Sequence, residues 1–583
     1  MIDLSRDPKV AERQMQALIF AMTTFGHIDG DFDASERDVV KTTITRLVEQ
    51  RVDGAMKGAD PAAKKDVVDR FTSHFHEVFE NIDRFVSDVM TEPVAAHDDR
   101  DAVVHAKLKL RCFELFSTFD QKGRDALLDA IDQLIAADGQ VHPAEAKFRA
   151  ELAQLLSSPD TVDTDDLVED DEDGGGGEPG ASRVHDIGAL LAMAPGEVTV
   201  SPVVDERAVG DHQFFKQLEH HYSANPERIA KQVQADLALA ERAIAMLDER
   251  RAKGAGKLGN AQRVDELEGS HLDGHLQWTK PQPGRVYDVV VLGDLHGCYS
   301  ALKAGVMQTK FLERVEAYHK DNSQPYPLLV FLGDYIDRGI FSLNGVLRSV
   351  LQLYVSAPEH VVPIRGNHEY YIEHQGQIYG GVKPAEAINT LKPYLPVDVF
   401  RRYMALYEAL PNMYFLGRTM FVHGGIPRDR ALKQKWKGLA SLEDADLRFQ
   451  MMWSDPSSAD VIPAALQDAS ARFPFGRLQL QSFLQRIGCN VLVRGHEKIE
   501  AGFKSHYEGP YKLLTVFSSG GATNNDLPEG SSYRNVQPKG LRVVLRADGS
   551  VDFQPFALDW ATYQDPSTNG FFAKPMEIEH KEG

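Results

Sequence analysis

The chain of 583 residues is long enough for about two to four folded domains, and its apolar content is ordinary, so it can bury sizeable cores. With 64 basic and 86 acidic residues its net charge is -22, which disfavours general binding to nucleic acids or anionic membranes, since both need a cationic surface. The three cysteines, Cys112, Cys298 and Cys489, lie far apart and indicate neither a disulfide framework nor a metal-ligand pair. We therefore expect a reducing, cytoplasmic location. No segment has the pattern of a signal peptide or the ~18-residue apolar run of a membrane helix.

Residues 1–158 are expected to form an all-α region. Apolar side chains recur there at helical spacing. They are Met15, Leu18, Ile19, Met22 and Phe25 in one segment, and Val104, Leu108, Leu110, Phe113 and Phe116 in another. A weak repeat, Phe25–Glu36 and Ala136–Glu145, joins one helix to the next in both places. This pattern resembles the tellurite-resistance TerB-type helical domain. We expect this region to recruit a protein partner or to gate activity.

The first of these turns has two interpretations. Asp29, Asp31, Asp33 and Glu36 offer oxygen ligands for Ca²⁺, although their spacing differs from that of an EF-hand. The same residues also suit helix capping, because Asp33 and Glu36 have the spacing of a capping box. The two roles are compatible with each other.

An acidic linker is predicted at residues 159–182. Asp160–Gly180 holds ten Asp or Glu, no Lys or Arg, and four consecutive glycines. Such a segment repels itself and cannot bury apolar surface. Residues 183–282 then form a predicted helical bridging region, with a helix over Arg228–Arg251.

From residue 283 the pattern changes to an α/β domain, predicted over residues 283–563 and followed by a tail at 564–583. Short apolar strands alternate there with longer, partly helical segments. The strands are Val286–Leu292, Leu328–Leu332, Val361–Ile364, Met420–Val422 and Val491–Val493. Polar groups follow each of them, and α/β sheets place their active sites at the carboxyl ends of strands.

Five short motifs occupy those strand ends. They read Gly-Asp-Leu-His-Gly from 293, Gly-Asp-Tyr-Ile-Asp-Arg-Gly from 333, Arg-Gly-Asn-His-Glu from 365, His-Gly-Gly from 423 and Arg-Gly-His-Glu from 494. Each offers an Asp, Asn or His, and each has glycines that let the backbone turn sharply. Together they supply ligands for two metal ions, which activate water and clamp phosphate oxygens. The motifs therefore predict a phosphoester hydrolase.

These motifs resemble those of the phosphoprotein-phosphatase family of calcineurin-like metallophosphoesterases, in the order of that family and over roughly residues 285–525. The resemblance implies a central β-sandwich flanked by helices. It also implies two metal ions, most simply Mn²⁺ with Fe or Zn as alternatives, because mixed oxygen and nitrogen ligands suit such metals.

The resemblance also implies a role for each ligand. Asp294 and His296 would hold the first ion, and Asp334 would bridge both ions. Asn367, His423 and His496 would complete the second. A bridging carboxylate is what two dications within ~4 Å of each other require.

Four further side chains are assigned by the same resemblance. His368 would be the general acid, Asp337 would orient its imidazole, and Arg338 would grip phosphate oxygens. Arg472, in a segment that looks like a shortened form of the family's Arg-containing stretch, would be a second phosphate clamp. Two other motif arginines, Arg365 and Arg494, would either bind phosphate or brace the sheet edge.

The chain departs from the family's protein phosphatases at one place. The strand Leu513–Phe517 leads into Ser518–Asn524, where the family's Ser-Ala-Pro-Asn-Tyr would place a tyrosine beside the site. No metal ligand is lost, but the substrate preference is affected. The insert Tyr370–Pro396 would shape the pocket instead. Another family motif, Trp453–Pro456, suits either a packed turn or a substrate role.

The sequence thus predicts a metal-dependent phosphomonoester hydrolase, in first place a protein serine/threonine phosphatase that acts on phosphoproteins by direct in-line hydrolysis. An alternative on the same core is the hydrolysis of dinucleoside polyphosphates or nucleotides. It is disfavoured because symmetric dinucleotide hydrolases of the superfamily usually carry Gln where this chain has His296. A third hypothesis is a scaffold that kept the fold without turnover.

Overall fold

The computed structural model describes residues 7–28, 32, 34–58, 60–91, 100–117, 119–135, 143–157, 198–204, 207, 208, 210–468 and 470–581. The chain divides into two compact units. A helical unit comprises Met1–Val94, Asp98–Glu169 and Ser457–Pro474, and a catalytic unit comprises the rest. The acidic linker at 159–182 and three acidic residues of the first turn, Asp29, Asp31 and Asp33, lie outside the described residues, so both remain predictions.

The described helices are, in chain order, α1 (Pro8–His27), α2 (Ala34–Ala55), α3 (Pro61–Thr91), α4 (Arg100–Ser117), α5 (Gln121–Ile135), α6 (Pro143–Ser157), α7 (Gln213–Lys216), α8 (Pro226–Gly254), α9 (Tyr299–Gln308), α10 (Phe311–Lys320), α11 (Arg348–Ser356), α12 (Glu386–Leu391), α13 (Val397–Ala409), α14 (Asp429–Lys435), α15 (Ala445–Trp453), α16 (Ala464–Gln467) and α17 (Arg477–Ile487). The described strands are β1 (Val198–Val200), β2 (Ser270–Asp273), β3 (Leu276–Thr279), β4 (Tyr287–Leu292), β5 (Tyr326–Phe331), β6 (Val361–Pro363), β7 (Tyr371–His374), β8 (Gln377–Gly380), β9 (Met413–Leu416), β10 (Thr419–Val422), β11 (Asp455–Pro456), β12 (Pro474–Phe475), β13 (Val491–Arg494), β14 (Phe503–Ser505), β15 (Lys512–Val516), β16 (Lys539–Leu545) and β17 (Val551–Ala557). None of these helices combines the length and the apolar character needed to cross a bilayer.

The helical unit contains α1 to α6, as the periodicity predicts. The α1 helix begins after Asp7, whose carboxylate accepts hydrogen bonds from the backbone N–H groups of Lys9 and Val10 at 2.8 and 3.2 Å. Large apolar side chains fill the core of this unit, and Phe25 and Phe79 are fully buried there. The expected all-α region is therefore confirmed, whereas the TerB-type resemblance stays a prediction.

A segment of the predicted catalytic region, Ser457–Pro474, packs in the helical unit. Ile462 and Leu466 are buried in the same apolar core as the helices. At the start of the segment, the hydroxyl of Ser457 and the backbone N–H of Ser458 donate to the Glu114 carboxylate of α4. The packing of this segment in the helical unit depends on apolar contacts between residues far apart in sequence. A division of the sequence at residue 283 cannot predict such contacts.

Two sheets form the centre of the catalytic unit. In the described residues, a six-stranded sheet has the order β1-β17-β16-β4-β5-β6 and a seven-stranded sheet has the order β14-β15-β13-β10-β9-β3-β2. The neighbouring strands β4, β5 and β6 are parallel, as are β10, β13 and β15. Parallel strands end on the same side of a sheet, so the residues that follow them are brought together.

The sheets pack face to face, and helices cover their outer faces. In β4, Val289 and Val291 point into the core between the sheets, whereas Val290 and Leu292 face the helical layer. Burial on both faces explains why residues 289–292 of this strand are all apolar. The layered α/β sandwich with a helical N-terminal region confirms the predicted fold class.

The region predicted as a helical bridge belongs to the catalytic unit where the structure describes it. The buried face of α8, which includes Val233 and Leu237, lies in the same core as the outer face of β4. The β2–β3 hairpin extends the seven-stranded sheet. Phe571, in the predicted tail, is also buried in this core. Long-range packing therefore extends the catalytic unit beyond 283–563 on both sides.

Candidate metal centre

The loops after five strands meet at one edge of the sandwich. The six predicted metal ligands are all buried there: Asp294 and His296 after β4, Asp334 after β5, Asn367 after β6, His423 after β10, and His496 after β13. A β-bridge between Asp294 and Phe517 joins the ends of the two sheets at this point. The fold thus brings together all six side chains that the sequence singled out as ligands.

The backbone of the site is strained. In the described residues, seven non-glycine residues have positive φ, and five of them are predicted site residues. These are His296, Asp334, Asp337, Arg338 and His496, with φ of 41°, 53°, 67°, 64° and 69°. Such a conformation costs an L-residue roughly 1–3 kcal/mol and persists only where the surrounding structure fixes it. The concentration of strain here is typical of a functional site.

Glycines permit the close approach of the motif loops. A Cβ on Gly366 would lie 2.3 Å from the Asp334 carboxylate, and a Cβ on Gly495 would lie 2.2 Å from the Asp294 carboxylate. Without those Cβ atoms the neighbouring N–H groups reach the same carboxylates. The backbone of His368 donates to Asp334 Oδ1 at 3.0 Å, and that of His496 donates to Asp294 Oδ1 at 2.8 Å.

Backbone carbonyls fix the tautomer of three histidines. A carbonyl only accepts, so the ring nitrogen facing it must donate, and the other nitrogen of a neutral imidazole keeps its lone pair. The contacts are His296 Nδ1 to Ile336 O at 2.9 Å, His423 Nδ1 to Leu332 O at 2.8 Å, and His496 Nε2 to Trp453 O at 3.2 Å. Carbonyl partners of this kind orient histidines that bind metals.

The second ring nitrogen of each of these histidines lies near the Asp334 carboxylate or the Asn367 amide. His296 Nε2 is 3.4 Å from Asp334 Oδ2 and 3.7 Å from Asp294 Oδ2. On the other side, His423 Nε2 is 3.3 Å from Asp334 Oδ1. Asp334 therefore lies between two groups of nitrogen donors, as a bridging ligand must.

Two overlapping sets of donors have the spacing of metal sites. His296, Asp334 and His368 form one set, and Asp334, His423 and His496 form the other, with the potential ligand atoms of each set within 4.8 Å of one another. The Asn367 amide adds an oxygen 2.8 Å from His423 Nε2. Turned over, the same amide would instead present its nitrogen to the two imidazoles and to Asp334. Imidazole, carboxylate and amide donors converging in this way fit Mn²⁺, Fe or Zn.

Electrostatics in the site favour a cation. Burial raises the pKa of Asp334 well above its usual value, and the nearby carboxylates of Asp294 and Glu369 raise it further. Burial lowers the pKa of His296 well below its usual value, and the neighbouring His368 adds to that effect. A divalent cation would offset the repulsion between the carboxylates and would bind the neutral imidazole.

His368 differs from the other three histidines in its partner. Its Nδ1 lies 2.8 Å from Asp337 Oδ2, and its Nε2 is 3.9 Å from Asp334 Oδ2. Burial raises the pKa of Asp337 to about 6, against the opposing charge of Arg338. A carboxylate on one ring nitrogen stabilises an imidazolium, so the pair suits proton transfer through Nε2.

The predicted insert Tyr370–Pro396 supports this pair and the adjacent arginine. The backbone N–H of Ala387, in the first turn of α12, donates to Asp337 Oδ1 at 2.9 Å. Glu386 accepts from Arg338 Nη1 at 2.8 and 3.0 Å. The insert therefore positions two predicted site residues, which sequence spacing alone did not reveal.

The other arginines lie in different surroundings. Arg365 donates through Nε to the carbonyl of Glu369 at 2.9 Å, and Arg494 donates to Asp455 at 2.6 Å and to the carbonyl of Ser454 at 3.2 Å. Both contacts favour the bracing role for these two arginines. Arg472 belongs to the segment that packs in the helical unit, so its role as a phosphate clamp stays a prediction.

Sequence reasoning missed two residues of the site, the buried Glu369 and the partly buried Tyr533. Glu369 accepts hydrogen bonds from the backbone N–H groups of Asp334, Tyr335 and Gly366 at 2.8–3.0 Å, and its position at the end of a motif was a usable signal. Burial raises the pKa of Glu369 to about 7, against these donors. The Tyr533 ring lies edge-on to His296, with 5.3 Å between centroids. It lies outside every motif, so no sequence signal pointed to it.

A family model places these residues in a known class. The model of the calcineurin-like phosphoesterase family matches residues 287–499. This match confirms the resemblance that the motifs carry, and it spans the five motif loops.

Curated relatives match the same part of the chain. A probable serine/threonine-protein phosphatase of Encephalitozoon cuniculi is 28% identical over 277 residues, which are 46% of this chain and 53% of that protein. A serine/threonine-protein phosphatase of Caenorhabditis elegans is 28% identical over 241 residues, 40% of this chain and 47% of that protein. The chain thus spans about half the length of these relatives.

Superpositions on solved structures give low TM-scores. A protein serine/threonine phosphatase from Saccharomyces cerevisiae has a TM-score of 0.36 at 18% identity, covering 56% of this chain and 90% of that one. A cold-active protein-tyrosine phosphatase from a psychrophilic Shewanella has a TM-score of 0.28 at 18% identity, covering 47% and 81%.

Proposed function

We propose that this chain, which carries a calcineurin-like phosphoesterase domain over residues 287–499, is a metal-dependent phosphomonoester hydrolase and acts as a protein serine/threonine phosphatase. One observation carries the proposal. The Asp334 carboxylate lies between lone pairs of His296 and His423, and the buried His368–Asp337 pair lies beside it. A bridging carboxylate next to a poised proton donor is the arrangement that metal-assisted phosphoester hydrolysis requires.

The residues proposed to hold the metals divide into two groups around Asp334. Asp294 and His296 serve the first ion, and Asn367, His423 and His496 serve the second. Mn²⁺ is proposed, because the mixed oxygen and nitrogen donors suit it. Bound there, the ions would supply an acidified water and neutralise charge on the phosphate.

The chain's own groups perform the proton transfer and the positioning. His368 would give the proton on Nε2 to the leaving alkoxide, while Asp337 holds Nδ1 and stabilises the imidazolium form. Arg338, held by Glu386, would orient phosphate oxygens through its planar guanidinium. We keep Arg472 as the proposed second clamp.

The relatives' names support a phosphoprotein as the substrate, because both of those described above are named serine/threonine-protein phosphatases. The helical unit is proposed to recruit a protein partner or to gate activity. We place the protein in the cytoplasm, where its three cysteines, all free and buried, would remain reduced.

An assay of the full chain tests the activity. After metal depletion and reloading with Mn²⁺, we expect release of phosphate from phosphoserine and phosphothreonine peptides, and a much lower rate on dinucleoside polyphosphates. Faster hydrolysis of the dinucleotides would contradict the substrate assignment. Protein with full metal occupancy that hydrolyses neither these substrates nor p-nitrophenyl phosphate would contradict the enzymatic function and favour a scaffold.

A further inference from the structure

The protein accepts hydrogen bonds from only one of the three guanidinium nitrogens of Arg338 in the part of the chain that the structure describes. Its side chain is 7% exposed, and its Nη1 donates to Glu386 and to the carbonyl of Pro384 at 3.1 Å. Its Nε and Nη2 are buried and make no hydrogen bond within the part of the chain that the structure describes. Buried N–H donors without acceptors are costly, so two donors in fixed geometry point to an anionic ligand.

Tyr533 packs beside the proposed metal ligand His296. It lies in the 3₁₀ turn Ser532–Asn535, with its ring 5.3 Å from His296 and 5.5 Å from Phe517, measured between centroids. Burial raises the pKa of its phenol, the carboxylates of Asp294 and Asp334 add to that rise, and the charge of Arg338 and a side-chain interaction with Arg338 oppose it. The hydroxyl is therefore close to both the metal ligands and the Arg338 guanidinium.

The loop that carries Tyr533 is held firmly. The next residue, Arg534, donates from Nε to the carbonyl of Pro528 at 2.8 Å and from Nη2 to that of Leu527 at 2.7 Å. The backbone N–H of Tyr533 donates to Ser531 Oγ at 3.3 Å. An aromatic ring on a braced turn keeps its position with little loss of entropy when a ligand binds.

The segment Ser518–Asn524, after β15, makes hydrogen bonds that hold the backbone in place. Ser518 Oγ donates to the carbonyl of Lys539 at 2.8 Å, and Ser519 Oγ donates to the carbonyl of Asp294 at 2.7 Å. Asn524 Nδ2 donates to the carbonyl of Gly520 at 2.7 Å. The Ser519 bond secures the backbone at Asp294, and the other two bonds hold the segment itself in place, so the segment braces the site while Tyr533 lies beside His296.

We propose that Tyr533 is a substrate-binding residue, whose hydroxyl donates a hydrogen bond to the phosphoryl group that Arg338 grips with Nε and Nη2. The inference rests on the proposed phosphatase function and extends it to a specific anion subsite. The ligand class is a phosphate monoester dianion, and inorganic phosphate is its simplest probe. The subsite is formed by two residues that are distant in sequence, Arg338 after β5 and Tyr533 after β15.

Binding of inorganic phosphate to the Mn²⁺-loaded full chain tests this inference independently of turnover. Hydrogen bonds to charged groups contribute about 1.5–3 kcal/mol, so Tyr533→Phe is expected to weaken phosphate binding about tenfold or more in calorimetry. Metal content and Tm should stay unchanged. Tyr379→Phe, at an exposed tyrosine of β8, is the matched control and should bind phosphate like the wild type.

A second variant separates the hydroxyl from the ring. If Tyr533→Phe binds phosphate as tightly as the wild type and only Tyr533→Ala is impaired, the ring packs against His296 without donating, and the inference is wrong. Failure of the metal-loaded wild type to bind phosphate would also overturn it. Tyr533-dependent phosphate binding without hydrolysis of any phosphoester would instead uphold the subsite and refute the phosphatase function.

Discussion

At the scale of single residues, the partner of each imidazole distinguishes the proposed metal ligands from the proposed proton donor. His296, His423 and His496 donate to backbone carbonyls, which favour a neutral ring with one lone pair facing inward. His368 faces the carboxylate of Asp337, which favours a protonated ring. For these four histidines, which have similar motif contexts, the difference in partner supports two different proposed roles.

Asp334→Asn is expected to abolish metal binding and activity together. An amide has no negative charge to share between two cations, so metal content should fall by about tenfold or more. Elemental analysis of the purified protein measures it. Asp321→Asn, the same change at an exposed aspartate, is the control. Full metal occupancy in Asp334→Asn would exclude a bridging role.

His368→Asn is expected to keep the metals and to slow turnover by about 10²–10⁴, because proton donation to the leaving group is lost. The loss should be largest on alkyl phosphates and small on p-nitrophenyl phosphate, whose leaving group needs no proton. The ratio of kcat on the two substrates measures this.

The control for that variant is His374→Asn, at an exposed histidine of β7. Since His368 also lies within ligand distance of Asp334, metal analysis is part of the test. Loss of metal from His368→Asn would identify His368 as a ligand, and equal kcat losses on both substrates would argue against a general acid.

At the scale of elements, strand ends bring the proposed metal ligands together, and a short helix positions the proposed proton-transfer pair. The five motif loops follow parallel or central strands, so strand direction alone assembles them. The first turn of α12 then secures Asp337 through Ala387 and Arg338 through Glu386. The position of the strand-end loops follows from apolar runs and glycines in the sequence. The support from α12 depends on how the insert Tyr370–Pro396 folds back onto the site.

Another element contact makes stability depend on pH. Glu443, next to the β2–β3 turn, accepts from the backbone N–H of His275 at 2.7 Å, and burial raises its pKa to about 7, against this donor. The folded-state pKa lies above the unfolded value of about 4.5. Stability from this carboxyl is therefore full below about pH 4.5 and is lost as pH rises through about 7.

Glu443→Gln should accordingly stabilise the protein more at pH 8 than at pH 5, by about 1–3 kcal/mol in the free energy of unfolding, because the amide stays neutral at both values. Urea unfolding at the two pH values measures the difference. Glu316→Gln, at an exposed glutamate of α10, should show no such difference. A Glu443→Gln variant whose relative stability is independent of pH would contradict the raised pKa.

At the scale of the whole molecule, the chain leaves the catalytic unit once and returns. Ser457–Pro474 lies between β11 and α17 in sequence but buries Ile462 and Leu466 in the helical core. The helical unit therefore combines the N-terminal stretches Met1–Val94 and Asp98–Glu169 with the distant stretch Ser457–Pro474. Deleting the N-terminal stretches would remove the surroundings of those two apolar side chains.

A variant lacking residues 1–158 is expected to be cleaved within Ser457–Pro474 by a protease of broad specificity, whereas the full chain is protected there. The exposed segment would no longer bury its apolar residues, and local opening governs proteolysis. Mass spectrometry of the fragments locates the cleavage.

A single substitution in the full chain, Glu114→Ala, should raise cleavage at the same place by removing the acceptor for Ser457 and Ser458. Equal protection in all three proteins would show that the segment is stable without the helices.

The sequence by itself determined the elements and the set of candidate ligands, because both depend on local patterns. An apolar run followed by Gly-Asp, as at Asp294 and Asp334, specifies a strand and the loop after it wherever the strand lies in the sheet. Periodic apolar residues specify the N-terminal helices in the same way.

Only the tertiary structure decided which groups support those ligands. It brought Glu386 and Tyr533 to Arg338, placed Ser457–Pro474 in the helical unit, and merged the described part of the predicted bridge into the catalytic core. These outcomes depend on side chains far apart in sequence whose proximity is fixed by how the layers pack, and no local pattern records that packing.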